Sequence, residues 1–266
     1  MRDQLNRTLH LKEIPKRIVS LVPSQTELLC DLGLESALVG VTKFCVHPHH
    51  IRTYATVVGG TKQIHLEKIK ALHPDIILCN KEENTKAIVD MCQDICPIHV
   101  SDIYSVEDSL ELIKMYGKIF NKAHVAHSII KRINSEKDVF ENEAKVYSNF
   151  KTVYFIWKNP WMVAGSNTYI DYMMHLNKFE NVFKNLERYP EINFSKPEIN
   201  KGVELVLLSS EPYPFKMKHQ MELQEVYPNA KIVLVDGEMF SWYGSRLIKA
   251  FPYFKTLGSS LHHSQP

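Results

Sequence analysis

The sequence predicts an α/β protein of two α/β lobes joined by one long backbone helix, with a ligand cleft between the lobes. Three observations predict it. Short β-branched and aliphatic runs bounded by turn residues, Arg17–Val22, Asp75–Cys79, Lys151–Trp157 and Glu204–Leu208, read as buried parallel strands. From Ser105 to Tyr147 apolar residues recur at helical spacing with no proline and with Gly117 as the sole glycine. The strand, loop, helix order then starts again at Lys151. The expected divisions are residues 1–121, an N-terminal α/β lobe; 122–147, the linking helix; and 148–266, a C-terminal α/β lobe.

Each element has its own signal. The first strand runs into PSQTELLCDLGL, where Ser24 or Thr26 is placed to cap a helix whose apolar face carries Leu28, Leu29 and Leu32 and which Gly33 ends. Further strands are expected at Ala37–Val41, Ile98–Val100 and Lys231–Val235, with helices between them. The helical stretch divides in two, and its second part, Lys122–Tyr147, exceeds the usual length of a globular helix. The halves echo each other: HLEKIKALHPDIILCNKEEN and SKPEINKGVELVLLSSEPYPF are each a short helix, a buried strand and an acidic loop.

Composition narrows the function. The 266 residues are 44% hydrophobic and 23% charged, ordinary globular usage that excludes disorder. Lys plus Arg at 32 against Asp plus Glu at 30 leaves a net charge of +2 and no basic stripe, which argues against a nucleic-acid partner. No apolar run approaches the ~18 residues that span a bilayer, so the chain is not membrane-spanning by this pattern. MRDQLNRTLHLKEIPKR has no apolar h-region, so the sequence as it stands is expected to be cytoplasmic, and periplasmic if a leader was removed. Five cysteines, an odd number, read as reduced thiols, with Cys92 and Cys96 packed at a helix end. No dinucleotide, P-loop, nucleophile-elbow or zincin motif is present.

In open α/β sheets ligands sit beyond the carboxyl ends of strands. The loops there are Pro23–Thr26, Lys43–His50, Asn80–Asn84, Lys158–Gly165, Ser209–Phe215 and Gly237–Arg246. They supply the candidate ligand-binding residues Pro23, Ser24, Phe44, Cys45, Lys81, Trp161, Tyr213, Phe240, Trp242 and Arg246. Clustered aromatics suit a large planar ligand, although Trp and Tyr also fill cores at strand ends. Lys81 and Arg246 could meet an anionic ligand or serve as ion-pair residues. The run Cys45-Val46-His47-Pro48-His49-His50 gathers one thiol and three imidazoles, with His47 the candidate metal ligand. Neighbours in one loop rarely converge on a single ion. Glu82, Glu83, Glu211 and Glu238 lie near the expected cleft, but their spacing defines no acid and base, so no enzyme is predicted.

The segments RIVSLVPSQTELLCDLGL, VGVTKFCVHP, VGGTKQIHLEKIKALHPDIILCNKEEN and VELVLLSSEPYPFK, with the long helix between, resemble the helical-backbone (class III) periplasmic substrate-binding proteins of ABC importers for cobalamin, ferric siderophores and haem. The likeness runs from about Pro15 to Phe254. It implies two α/β lobes on a rigid helix, a small-molecule metal chelate as ligand, no required cofactor, and an ABC permease dimer as partner. Phe44 falls where cobalamin receptors carry an aromatic wall residue, whereas Thr61 and Glu191 stand where those receptors tend to have tryptophan. The resemblance also implies transporter docking through one glutamate per lobe: Glu67 matches the first, and Glu198 is the candidate for the second, although an ungapped count puts Lys196 opposite Glu67. The alternative function is a cytosolic metal- or corrinoid-handling protein or enzyme that uses the Cys45 and His47 loop.

Overall fold

The computed structural model describes residues 1–195 and 202–262. The chain divides into two compact units, Met1–Ser135 with Trp242–Ile248, and Glu136–Ser241 with Lys249–Pro266.

In chain order the first unit holds β1 (Ile18–Ser20), α1 (Pro23–Asp31), β2 (Leu38–Val41), α2 (Ile51–Tyr54), β3 (Thr56–Val57), α3 (Leu66–Ala71), β4 (Ile76–Asn80), α4 (Lys86–Gln93), β5 (Ile98–Ser101) and α5 (Val106–Ile119). Its sheet is parallel throughout, in the order β3-β2-β1-β4-β5. Strands covered on both faces need apolar residues at every position, which is why the runs read as continuous rather than alternating. Val19, Leu21, Ile77, Cys79 and Val100 form one core with Ile69 of α3 and Cys92 of α4. Helices begin where a side chain can take up a free N–H: Thr85 accepts from Ile88 and Ser105 from Asp108. The expected cap of α1 is absent. Pro23 itself opens that helix behind Val22, and proline has no N–H to satisfy. Gly33, at φ +74°, ends the turn beyond α1 as expected.

The division between the units falls within α6 (Ala123–Ala144), the long helix, which is shorter at both ends than the sequence suggested. The second unit then holds β6 (Phe150–Trp157), β7 (Met162–Val163), α7 (Tyr169–Leu176), β8 (Phe179–Asn181), β9 (Leu205–Ser209), α8 (Met217–Val226), β10 (Lys231–Val235), α9 (Gly237–Ser241) and most of α10 (Leu247–His262). Strands β10, β9 and β6 are parallel, and β6 serves two partners on its other side: β8 parallel along Phe150–Thr152 and β7 antiparallel from Phe155. Val153, Phe155, Val206, Leu208, Leu223 and Tyr227 fill the core.

One segment corrects the expected division. Residues 148–266 do not form a single stretch of one unit, because Trp242–Ile248 returns to the first. Polar contacts hold it there, among them Gln25 Nε2 donating to the Tyr243 hydroxyl at 2.9 Å, Gly244 N to Ser109 Oγ at 2.8 Å, and Arg246 Nε to Glu27 Oε2 at 2.8 Å.

Candidate functional site

At the carboxyl ends of the first sheet, Phe44 is the apolar side chain presented to solvent, 49% exposed. Its ring lies against Gly60, where an added Cβ would stand 3.1 Å from Phe44 Cε2, and Lys43 Nζ sits 5.0 Å from the ring centroid. Lys81 donates to Asp102 Oδ2 at 2.7 Å and to the Tyr104 hydroxyl at 3.3 Å. The Asp102 contact holds its ammonium pKa up, so Lys81 stays charged. The loop that carries it is held by local contacts: Asn80 Oδ1 accepts from the amides of Glu82 and Glu83, while Asn84 Oδ1 accepts from Asn80 N. Glu83 is half-buried there, and burial pushes its carboxyl up while the nearby Lys62 pulls it down. Pro23 is half-buried and Ser24 buried at the start of α1.

Beneath this surface lies a polar network that sequence reading missed. The Gln25 amide donates to Ser101 Oγ at 2.7 Å as well as to Tyr243, and its Oε1 accepts from the Tyr116 hydroxyl at 2.6 Å. Burial pushes the Tyr243 phenol up to about 12, so it stays protonated. His99 packs edge-on against Tyr116, buried, with neither ring nitrogen hydrogen-bonded. Polar residues at apolar-run positions, Gln25 in α1 and His99 in β5, were the available signal.

Three expected site residues are buried and engaged within the fold. Cys45 is fully buried; its Sγ lies 3.1 Å from Thr26 Oγ1 and 3.3 Å from Thr42 Oγ1, and burial pushes the thiol up. A thiol held protonated between two hydroxyls is a poor nucleophile and a poor metal ligand. Arg246 is buried against Glu27, and its guanidinium lies 4.9 Å from the Trp242 ring. Its charge is thus met within the fold. Trp242 is only 7% exposed, held between that guanidinium and the edge of His47, at 5.4 Å. His47 is half-buried beside His49, and among the described residues no three His, Cys, Asp or Glu side chains gather as a metal site.

In the second unit Trp157, the last residue of β6, is 39% exposed and meets the edge of Tyr213 at 5.6 Å. Trp161 stacks on Phe215 at 6.0 Å and carries Lys158 Nζ over its face, and that ammonium pairs with Glu222. Tyr213 is half-buried, its hydroxyl 3.5 Å from Nε2 of the buried His219. His219 Nδ1 accepts from Lys216 N at 2.8 Å, and burial, reinforced by Lys158 and Lys218, lowers the ring's pKa. Phe240 is fully buried against Tyr154 and Phe254. Trp157 was not singled out in the sequence; its place at the end of a continuous apolar run was the usable clue.

A groove of about 500 Å³ lies elsewhere, at the amino end of β5, lined by residues that include Arg7, His10, Asp94 and Cys96. Glu67, in the first turn of α3, has a side chain 83% exposed and paired with Lys70 at 2.9 Å. Glu198 and Lys196 lie outside the described residues. No helix among the described residues is long and apolar enough to cross a membrane.

The model of the periplasmic binding protein family matches residues 18–228. The chain belongs to this family. As a periplasmic binding protein it is 28% identical over 188 residues to an uncharacterized ABC transporter substrate-binding lipoprotein, YvrC, of Bacillus subtilis, and 26% identical over 191 residues to a vitamin B12-binding protein of Yersinia pestis. Those stretches are 67% and 69% of this chain, and they span 59% and 65% of the two relatives. Its fold is that of the periplasmic heme-binding protein RhuT from Roseiflexus, with a TM-score of 0.81 at 15% identity over 92% of this chain and 98% of that one. The family assignment agrees with two α/β sheets, one wholly parallel and one mixed, with the long α6 between them in the sequence, the helical-backbone class.

Proposed function

We propose that this protein is the substrate-binding component of an ABC importer and that its ligand is a large planar metal chelate of the cobalamin, haem or ferric-siderophore type. One observation carries this reading: each unit presents a solvent-facing aromatic at the carboxyl end of its sheet, Phe44 in the first and Trp157, backed by Tyr213, in the second. A relative named for vitamin B12 binding and a fold neighbour named for haem binding support the ligand class. The protein would act outside the cytoplasmic membrane, as the name of the Bacillus lipoprotein suggests. Binding without chemistry fits each surface, since Lys81 is engaged with Asp102 in the first unit and Lys158 with Glu222 in the second. The burial of Cys45 removes the main support for metal delivery or catalysis by its loop.

A thermal-shift panel of cyanocobalamin, haemin, ferric siderophores and divalent metals tests the ligand class. A ligand at 100 times its Kd adds about 2.7 kcal/mol of stability. A panel that leaves the melting temperature unmoved rejects the proposed class. Glu67 is the proposed permease contact. Replacing it by Arg should spare ligand affinity and abolish importer-dependent uptake, because the family resemblance implies arginines on the permease opposite this glutamate, and like charges would then meet across the interface. Normal uptake by this variant would return Glu67 to a role at the start of α3.

A further inference from the structure

Strand β5 is an edge of the first sheet, and an edge strand offers unpaired backbone groups to any other chain. Its ladder with β4 shows which groups those are. Ile77 N donates to Pro97 O and Lys81 N donates to Ser101 O, so odd-numbered residues of this stretch turn their backbone toward β4. The backbone groups of Ile98, Val100 and Asp102 therefore face outward.

Side chains of the N-terminal residues meet each of these three positions. Arg7 Nη2 donates to Ile98 O at 2.9 Å, Asp3 Oδ2 accepts from Val100 N at 3.1 Å, and Gln4 Oε1 accepts from Asp102 N at 3.2 Å. The segment that supplies them is itself a tight hairpin. Arg2 bridges Thr8, Asn6 turns at φ +59°, and Asp3 Oδ1 accepts from the amides of Leu5 and Arg7. Asp3 is buried and also pairs with Arg7 Nε at 2.9 Å, which fixes both groups at the spacing the strand requires. Gln4 is tied in addition to Asp108 O at 2.9 Å, and Leu5 packs on the core beneath the sheet.

We propose that residues 1–9 are an intrachain guard of the β5 edge, and that loosening them opens β5 to pairing with a second copy of this chain. A sixth backbone strand would only move the open edge outward by one position. Capping by side chains ends the ladder instead, since no further row of N–H and C=O groups is presented. A self-complementary edge pairs with its own copy about a two-fold axis, which makes the homodimer the expected product of an unguarded β5.

The test uses the full chain with Asp3→Ala and Arg7→Ala together. Light scattering after size exclusion should show a mass that rises with concentration beyond that of wild type, at unchanged far-ultraviolet circular dichroism. Adding Val100→Pro to that variant removes an outward N–H and no bond to β4, so it should return the mass to the wild-type value. If the double variant loses its fold, Gln4→Ala makes the same reading with less disturbance: its mass should rise with concentration, and exchange at the Asp102 amide should quicken about fivefold, the equivalent of one ordinary hydrogen bond. A folded variant with the mass of wild type, or self-association that persists with Val100→Pro, overturns the guard.

Discussion

Arg246 donates from Nε to Oε2 of Glu27 across 219 residues of chain, and both side chains are buried. The geometry places a cation in the interior with a carboxylate on one side and the face of Trp242 on another. Removing one member of such a pair leaves the other charge buried and unmet, which costs about 3–5 kcal/mol. Arg246→Ala should lose that much in urea denaturation, and Glu27→Leu with Arg246→Met should lose less than Arg246→Ala alone. A single variant within about 1 kcal/mol of wild type would show that solvent reaches the pair.

Phe44 and Trp242 should separate binding from stability. Phe44→Ala should leave the urea midpoint near that of wild type and weaken a haemin or cyanocobalamin complex by at least ~1 kcal/mol, as expected of an exposed aromatic anchor. Trp242→Ala should instead destabilise the fold by about 3–5 kcal/mol, the range for truncating a buried aromatic. Calorimetry paired with denaturation decides the matter. Equal effects on both readouts for both variants would erase the distinction.

His99 makes the fold sensitive to acid. Burial lowers its pKa from 6.5 to about 4, with Arg7 acting in the same direction and Asp3 against it. Between those values the unfolded chain binds more protons than the folded one. The contribution of His99 is therefore fully present above pH 6.5 and is lost as pH falls toward 4, by about 3 kcal/mol in all. Urea midpoints of wild type and His99→Phe at pH 7 and pH 4.5 should show a steeper loss for wild type. Parallel losses would mean that the ring is protonated without penalty.

Gly258 allows α10 to approach Tyr147. An added Cβ would lie 2.3 Å from Tyr147 Cε2, and that ring is stacked on His262 at 4.6 Å. Gly258→Ala should therefore destabilise the protein by about 1–3 kcal/mol through overpacking, despite alanine's better helix propensity. Tyr147→Ala in the same chain should recover part of the loss. A stabilised Gly258→Ala variant would show that the ring moves aside freely.

The longer strands were legible because continuous apolar runs bounded by turn residues leave few other readings, even for the partly exposed β10; all seven expected strands form, within two residues at each end. Strands β3, β7 and β8 escaped notice, being two or three residues long and therefore too short to show any period. The loops at strand ends were found, but which of their side chains turn outward was not. Phe44 and Cys45 are adjacent, yet one is half exposed and the other sealed between Thr26 and Thr42. Phe240 and Trp242 stand two residues apart and belong to different units. Local sequence does not record such tertiary choices.

The return of Trp242–Ile248 to the first unit also sets an order in time. Gln25 waits for Tyr243, 218 residues further on, and until then its amide has one fewer partner and Glu27 lacks Arg246. At a translation rate of about 5–20 residues per second that interval is roughly 10–40 s. The amino-terminal half thus leaves the ribosome without the segment that closes its polar interior. A nascent chain cut in α6 would carry the whole first sheet and still lack that closure, so the unit begun first stays open until all but the last helix of the second has been made.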